Sequence, residues 1–420
     1  MNRAWIWFGA YVLPVGMIFS QVTFGYVSGF PINLGALVGL GLSTLLVLRG
    51  RINRTALMLG IAFLVQAIWL GAWALDGTEF VKSMALFANL VLVCVLASAA
   101  SNAREIAGKG SAVLVGLSVI AGLLIVLQAV VWNVFHLSLL HVPLGPLNAL
   151  GPGGTPYVPY SDAPIQRPNA LYSEPSVAGW VMVYAESAAL TMTGAPTGRG
   201  PLLWWGAAIG CTVAAVSTMS LSGIAGTLLV WSSVAWHRVG TSSYGDKKII
   251  LMVLGLSMIL AGAVLTPAGA YLESRVSNLD KPGSSLYYRV TAPTRLVLQS
   301  LPVYPLGHAL GQRQYIEERG YMVNWAKGSD TNIDNCFLML SYYFGIPGVA
   351  LSLAWLTWAA MSIVMRKPYA PILVAQTVIF SATGSLWAPW VVLFLAFTLI
   401  TRADIASHVR RMPTESGIPA

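Results

Sequence analysis

The chain has 420 residues, of which 56% are hydrophobic and 9% charged, and a net charge of +9. A soluble domain carries roughly 25% charged residues, so lipid must act as solvent for much of this chain. The basic excess does not indicate nucleic-acid binding, because Lys and Arg sit in short clusters between apolar runs rather than on one soluble face.

A spanning helix needs about 20 mostly apolar residues. Such runs predict an all-α, polytopic transmembrane bundle of about twelve spans. They lie near 4–22, 31–48, 55–75, 80–100, 111–134, 175–193, 202–218, 221–236, 249–266, 335–364, 371–387 and 389–401. Arg3 is followed by an apolar run with no small-x-small cleavage site, so the first span is read as retained. The seventh and eighth spans are joined by a tight Ser/Gly turn, and the last two flank Trp387-Ala388-Pro389-Trp390. The chain then divides into N-terminal helices (1–135), a first long loop (136–174), central helices (175–266), a second long loop (267–334), and C-terminal helices with a tail (335–420).

Orientation follows from Lys and Arg in the short loops. Alternate connections carry Arg49, Arg51 and Arg54; Arg104 and Lys109; Arg199; Arg238, Lys247 and Lys248; and Arg366 and Lys367. Lys82 is the exception among the opposite short connections. Both termini are therefore expected in the cytoplasm, with both long loops outside it. The second loop holds seven basic and six acidic residues and is predicted to contain a short amphipathic helix over 286–301, broken at Pro293. Loops of this length are usually functional. The cysteines Cys94, Cys211 and Cys336 form no CxxC pair, so neither a disulfide framework nor a zinc site is expected.

Three segments could carry chemistry. The first is Gln166-Arg167-Pro168-Asn169-Ala170-Leu171-Tyr172-Ser173-Glu174-Pro175-Ser176. Pro175 suits a first helical turn, which places Glu174 at a helix mouth whose free N–H groups attract anions. Arg167 adds a planar donor fork suited to phosphate. The plainer alternative is an interfacial Arg that reaches lipid headgroups. The second is Tyr287-Tyr288-Arg289, with Arg295 following, running on to Pro305-Leu306-Gly307-His308. Two arginines on a short helix above the membrane could hold a diphosphate; equally, they could face headgroups from an amphipathic helix on the membrane surface. The third is Asp334-Asn335-Cys336-Phe337-Leu338, leading to Gly345-Ile346-Pro347-Gly348. Asp334 is there either an ordinary helix cap or a carboxylate placed as a general base. Glu186, inside the sixth span, is costly in lipid and could pair with Ser217 or Ser220, or mark a proton path. No Walker A loop, HExxH, GxSxG or DxD is present, which argues against nucleotide-driven pumps and the common metal or serine hydrolases.

Taken together, the three segments resemble the O-antigen polymerase and ligase superfamily. Arg167 through Pro175 resembles its Arg–Gly-aromatic–Glu-Pro segment, with Ala170 where many members have Gly. Ser220-Leu221-Ser222-Gly223 is similar to its Ser-Arg-Gly turn, without the Arg. Arg289 followed by Pro305-Leu306-Gly307 resembles its Arg…Pro-x-Gly run, and Asp334-Asn335, Leu338, Gly345 and Gly348 its His-Asn–Leu–Gly–Gly pattern. The likeness runs from about residue 165 to 350.

The resemblance implies a glycosyltransferase of the bacterial inner membrane that needs no metal or other cofactor and acts on undecaprenyl-diphosphate-linked oligosaccharide. It further implies a flippase and a chain-length regulator as partners. By resemblance, Arg167, Arg289, Asp334 and Glu174 are the catalytic candidates; Arg295, His308, Tyr288 and Asn335 are the substrate-binding ones. Ligases carry His at the position of Asp334, and that departure favours a polymerase. An O-antigen ligase and a lipid-linked oligosaccharide flippase are the alternatives.

Overall fold

The computed structural model describes residues 2–20, 22–27, 30–49, 51–72, 77–99, 103–137, 166–172, 174–193, 200–239, 284, 286–312, 314–319, 333–383, 386 and 388–409, with isolated positions at 273, 277 and 281. The ninth predicted span, most of the first long loop, and most of 267–285 and all of 320–332 in the second lie outside these residues.

The apolar runs fold as helices: α1 (Asn2–Trp7), α2 (Leu13–Ile18), α3 (Leu34–Arg49), α4 (Arg54–Gly71), α5 (Gly77–Ala97), α6 (Ala103–Asn133), α7 (Pro175–Met192), α8 (Pro201–Ser217) and α9 (Leu221–Val239). After them come α10 (Ala292–Ser300), α11 (Gln314–Arg319), α12 (Cys336–Val364), α13 (Ala370–Ala382) and α14 (Pro389–Val409). By length and composition, Arg54–Gly71, Phe80–Ala97, Glu105–Asn133 and Cys336–Val364 could each cross a membrane. Exposed side chains such as Met58, Val65, Ile120, Leu123 and Leu202 are apolar, as a lipid-facing surface requires. The centre of the bundle is α7, buried at every residue except Thr191, with α6, α8, α9 and α13 packed around it.

Two short stretches, Phe8–Val12 and Tyr287–Thr291, are π-helical, and each ends two residues before a proline. Proline cannot donate to the carbonyl four residues back. The residue before it, Leu13 or Ala292, instead donates to the carbonyl five residues back. Pro293 therefore does not break its helix; it widens the turn that carries Arg289.

The structure corrects two further expectations. The architecture is helical except for an antiparallel hairpin of β1 (Thr23–Val27) and β2 (Phe30–Asn33), with a bulge between Thr23 and Gly25. Asn33 ends the hairpin and opens α3, its Oδ1 accepting the N–H of Ala36 at 2.7 Å. The second correction concerns α12, which is not one straight span. Gly345 has φ 57° and ψ −135°. The Ser352 hydroxyl donates to the Phe337 carbonyl at 3.1 Å. In a straight helix those residues would stand about 22 Å apart. The helix therefore folds into a short rising arm (336–344) and a long returning arm (346–364) of about 28 Å. Gly348 lies so close to the Leu340 carbonyl that a Cβ there would overlap it.

Helix directions define two ends of the bundle. Gly226 packs level with Val183 and Val378, so the N-termini of α7 and α9 and the C-terminus of α13 share one end. Asn133, at the end of α6, joins them by bonding Gln166. At the opposite end, Arg49 lies 5.0 Å over Trp5 and Arg366 5.5 Å over Trp236. Arg238 donates to Thr193 there at 2.9 Å.

Candidate functional site

The segment before α7 is pinned by carboxamides from α6. Asn133 grips the backbone of Gln166 from both sides, donating to its carbonyl at 2.9 Å and accepting its N–H at 2.8 Å. Gln128, fully buried, accepts the N–H of Ala170 at 2.8 Å and of Asn169 at 3.3 Å. Asn169 donates to the Tyr172 carbonyl at 2.6 Å, closing a tight turn. Ala170 sits in that turn at φ 48°, the left-handed region that glycine adopts without strain. Glycine at this place in many members of the resembling superfamily thus has a backbone reason. Glu174 follows as the residue before Pro175, in extended conformation, and its carboxylate accepts from the Ser176 hydroxyl at 3.1 Å.

Arg167 reaches the turn between α8 and α9, and Arg289 lies over a tryptophan tied to the start of α9. Arg167 is half-buried and directs its Nε–H to the Thr218 carbonyl at 3.4 Å. The Arg289 guanidinium lies 5.9 Å over the Trp180 ring. The Trp180 indole N–H donates to Ser222 at 2.8 Å, and Ser222 shares a hydrogen bond with Ser220 at 2.9 Å. Gly179 and Gly223 let α7 and this turn touch backbone to backbone: a Cβ on Gly179 would stand 3.3 Å from Gly223 Cα and 3.1 Å from the Thr218 hydroxyl. The two arginines, 122 residues apart in the chain, are thus linked through the α8–α9 connection, Arg167 directly and Arg289 by way of Trp180. Met219, at φ 49°, forms its corner.

Asp334 and Asn335 stand at the foot of the rising arm of α12. The helix cap is Asn335, not Asp334: its Oδ1 accepts the N–H groups of Phe337 and Leu338 at 3.0 and 3.2 Å. Its Nδ2 donates to the Ser381 carbonyl at 3.2 Å. Asp334, half-buried, is therefore not needed as a cap. Because Phe337 is level with Ser352, the foot lies on the order of 10 Å below the tip at Gly345.

His308 packs on the other side of that arm. Its ring stacks on Tyr342 at 4.3 Å, with Tyr304 and Tyr315 at 4.5 and 4.9 Å. Its Nε2 meets the Ser300 hydroxyl at 2.7 Å, and its N–H donates to the Tyr342 carbonyl. Burial lowers its pKa to about 4. The neighbouring Pro305–Gly307 turn is bonded to the tip of α12, where Ile346 donates to the Pro305 carbonyl at 2.8 Å. Gln66 of α4 bridges both pieces, donating to the Leu306 and Phe344 carbonyls at 2.7 and 3.1 Å. Of the remaining candidates, Tyr288 is buried edge-on to Tyr287 at 5.4 Å, and Arg295 is exposed on the outer face of α10.

Glu186 is fully buried and accepts from the Thr227 hydroxyl at 3.0 Å, rather than from Ser217 or Ser220. Trp180, Thr218, Gln128, Asn133 and Gln66 were not singled out from the sequence. Gln128, Asn133 and Gln66 stand alone in apolar runs, which was the available signal. Among the described residues, no three His, Cys, Asp or Glu side chains gather into a group that could hold a metal ion.

A helix bundle with apolar helices long enough to cross a membrane and exposed apolar side chains is of the membrane class, and comparison makes the class specific. The chain belongs to the family described as WcaD colanic acid polymerase, whose family model matches residues 10–403. It is also 32% identical over 111 residues to the protein of Escherichia coli (strain K12) named "Putative colanic acid polymerase". That alignment spans 26% of this chain and 26% of that relative.

Proposed function

We propose that this protein polymerises undecaprenyl-diphosphate-linked oligosaccharide repeat units into an exopolysaccharide at the periplasmic face of the bacterial inner membrane. The observation that carries the reading is that Arg167 bonds the α8–α9 turn while Arg289 lies over Trp180, whose indole bonds the start of α9, in a chain of a polymerase family. Membership supports the reaction class. The end carrying Arg49, Arg238 and Arg366 is the cytoplasmic one by the positive-inside rule, which supports a periplasmic position for the opposite end. About twelve spans, with both termini cytoplasmic, satisfy the same rule.

In the proposed reaction the acceptor hydroxyl attacks the anomeric carbon of the donor, and the bond to the lipid diphosphate breaks. Negative charge grows on the leaving oxygen. Fixed cations in a partly dry site stabilise it without reorganising, which can be the largest catalytic contribution. Arg167 and Arg289 take that role, since a guanidinium keeps its charge at any relevant pH. Asp334 accepts the proton of the hydroxyl, with Glu174 as the second candidate base. The foot of the α12 arm holds Asp334 half-buried, on the order of 10 Å below the tip. His308, Tyr288 and Asn335 support the site from within, because their rings and polar atoms are occupied by the fold. Arg295 faces outward toward headgroups or the saccharide. A flippase and a chain-length regulator are the expected partners.

The test is polymer made by cells that carry Arg167→Ala or Arg289→Ala in place of the native protein. Each variant should cut polymer about 100-fold or more, with the protein still inserted. Arg295→Ala should cost far less. Polymer of normal length and amount in both inner variants would overturn the assignment.

A further inference from the structure

The mechanism above needs Arg289 held in place but not neutralised, and its setting shows how this is done. We infer that Trp180 and Ser222 are positioning residues for Arg289, which makes the α8–α9 turn the common anchor that sets the separation of the two arginines. The inference rests on the diphosphate-binding reading of Arg167 and Arg289.

Two guanidinium groups that face one anion repel each other while the site is empty. An acidic partner would steady them but would also compete with the ligand. The face of an indole ring attracts a guanidinium through its quadrupole and leaves its full charge for an incoming anion. Trp180 offers that face to Arg289 at 5.9 Å and is itself 4% exposed, so it is a fixed floor rather than a mobile side chain. Its one polar atom is tied down: Nε1–H donates to Ser222 at 2.8 Å, and Ser222 is paired with Ser220 at 2.9 Å. Ring rotation would break the first of these bonds. The same turn supplies the Thr218 carbonyl to Arg167, and the Gly179–Gly223 approach binds the turn to the helix that carries Trp180. Platform, turn and Arg167 anchor therefore move as one body. Arg289 adds a widened π-turn of its own, a geometry frequent at functional sites.

The experiment measures binding of radiolabelled inorganic pyrophosphate to the full-length protein in detergent, with Arg289→Ala as reference. Ser222→Ala leaves the indole in place but removes its tether. Trp180→Phe keeps a ring and removes the N–H. Each should weaken pyrophosphate binding roughly 3- to 10-fold, the scale of a cation–π contact in a desolvated site. Ser222→Thr, which keeps the hydroxyl, should bind like the native protein. The decisive reading is the double variant Ser222→Ala/Arg289→Ala, which should bind no more weakly than Arg289→Ala alone. A merely structural role would make the losses multiply. Native-like binding by Ser222→Ala and Trp180→Phe, or multiplying losses, overturns the positioning role while leaving the diphosphate reading intact. Native-like binding by Arg289→Ala overturns that reading and this inference with it.

Discussion

Two irregular segments flank the site, and they are held in opposite ways. Residues 166–172 are pinned through their backbone by side chains reaching from α6, Asn133 and Gln128. Residues 304–311 are pinned mainly by backbone against backbone at the tip of α12, with Gln66 of α4 bonding one carbonyl, and their histidine, His308, is enclosed in tyrosines. In the first case the scaffold supplies the polar atoms, so Arg167 is left to point toward the α8–α9 turn. In the second the backbone of the segment and of α12 supplies most of them. The difference separates a segment built to present a charge from one built to close a structure. It predicts that damage to the second appears as lost protein and damage to the first as lost activity.

The largest effect is expected at Gly345. Its φ of 57° disfavours any side chain, and a Cβ would overlap the Pro305 carbonyl. Gly345→Ala should destabilise by on the order of 3 kcal/mol or more, from strain and overpacking combined. Thermal melting of the purified protein in detergent would show it, and membranes should hold much less of the variant. Gly206→Ala is the control, since a Cβ there meets nothing within 4 Å. Equal behaviour of the two would mean that the folded tip of α12 is not a structural keystone.

The folded tip also marks the limit of what the sequence discloses. Gly345-Ile346-Pro347-Gly348 was visible, but it lies in an unbroken apolar run, and hydropathy cannot distinguish a span from two antiparallel arms. Only the pairing of Ser352 with Phe337 does so. Trp180 was hidden for a similar reason, because one aromatic in an apolar helix looks like any other core residue. By contrast, the helices and the tight turn before α9 were legible, since periodicity and charge carry them, although the turn falls at Thr218–Ser220 and Ser222 and Gly223 already belong to α9. Arg167 and Arg289 were legible as charges. Their link through Trp180 and the α8–α9 connection was not, because it depends on tertiary contacts far apart in the chain.

A middle-sized effect is expected from pH. Burial holds the His308 pKa near 4, against about 6.5 when exposed, so the folded protein binds this proton less readily than the unfolded chain. The neutral ring thus contributes stability that is fully present above about pH 7 and declines as pH falls through 6.5 toward 4. At pH 5 the loss should reach about 2 kcal/mol. Melting curves between pH 7.5 and 5 should fall steeply for the native protein and less so for His308→Gln. If both lines run parallel, the tyrosine enclosure does not control the closing segment.

The smallest effect is a gain. Ala170 is held at φ 48° by the bonds from Gln128 and by the Asn169–Tyr172 turn. An L-residue in that region costs roughly 1–2 kcal/mol, while glycine adopts it freely but loses more chain entropy on folding. The difference leaves Ala170→Gly more stable by about 0.5 kcal/mol, a small rise in melting temperature. Activity should stay unchanged, because the carboxamide anchors bond the backbone and keep Arg167 where it is. A gain in stability with lost polymer would mean that the strain itself positions Arg167. Unchanged activity would place the positioning in Asn133 and Gln128, the feature that separates this segment from the one around His308.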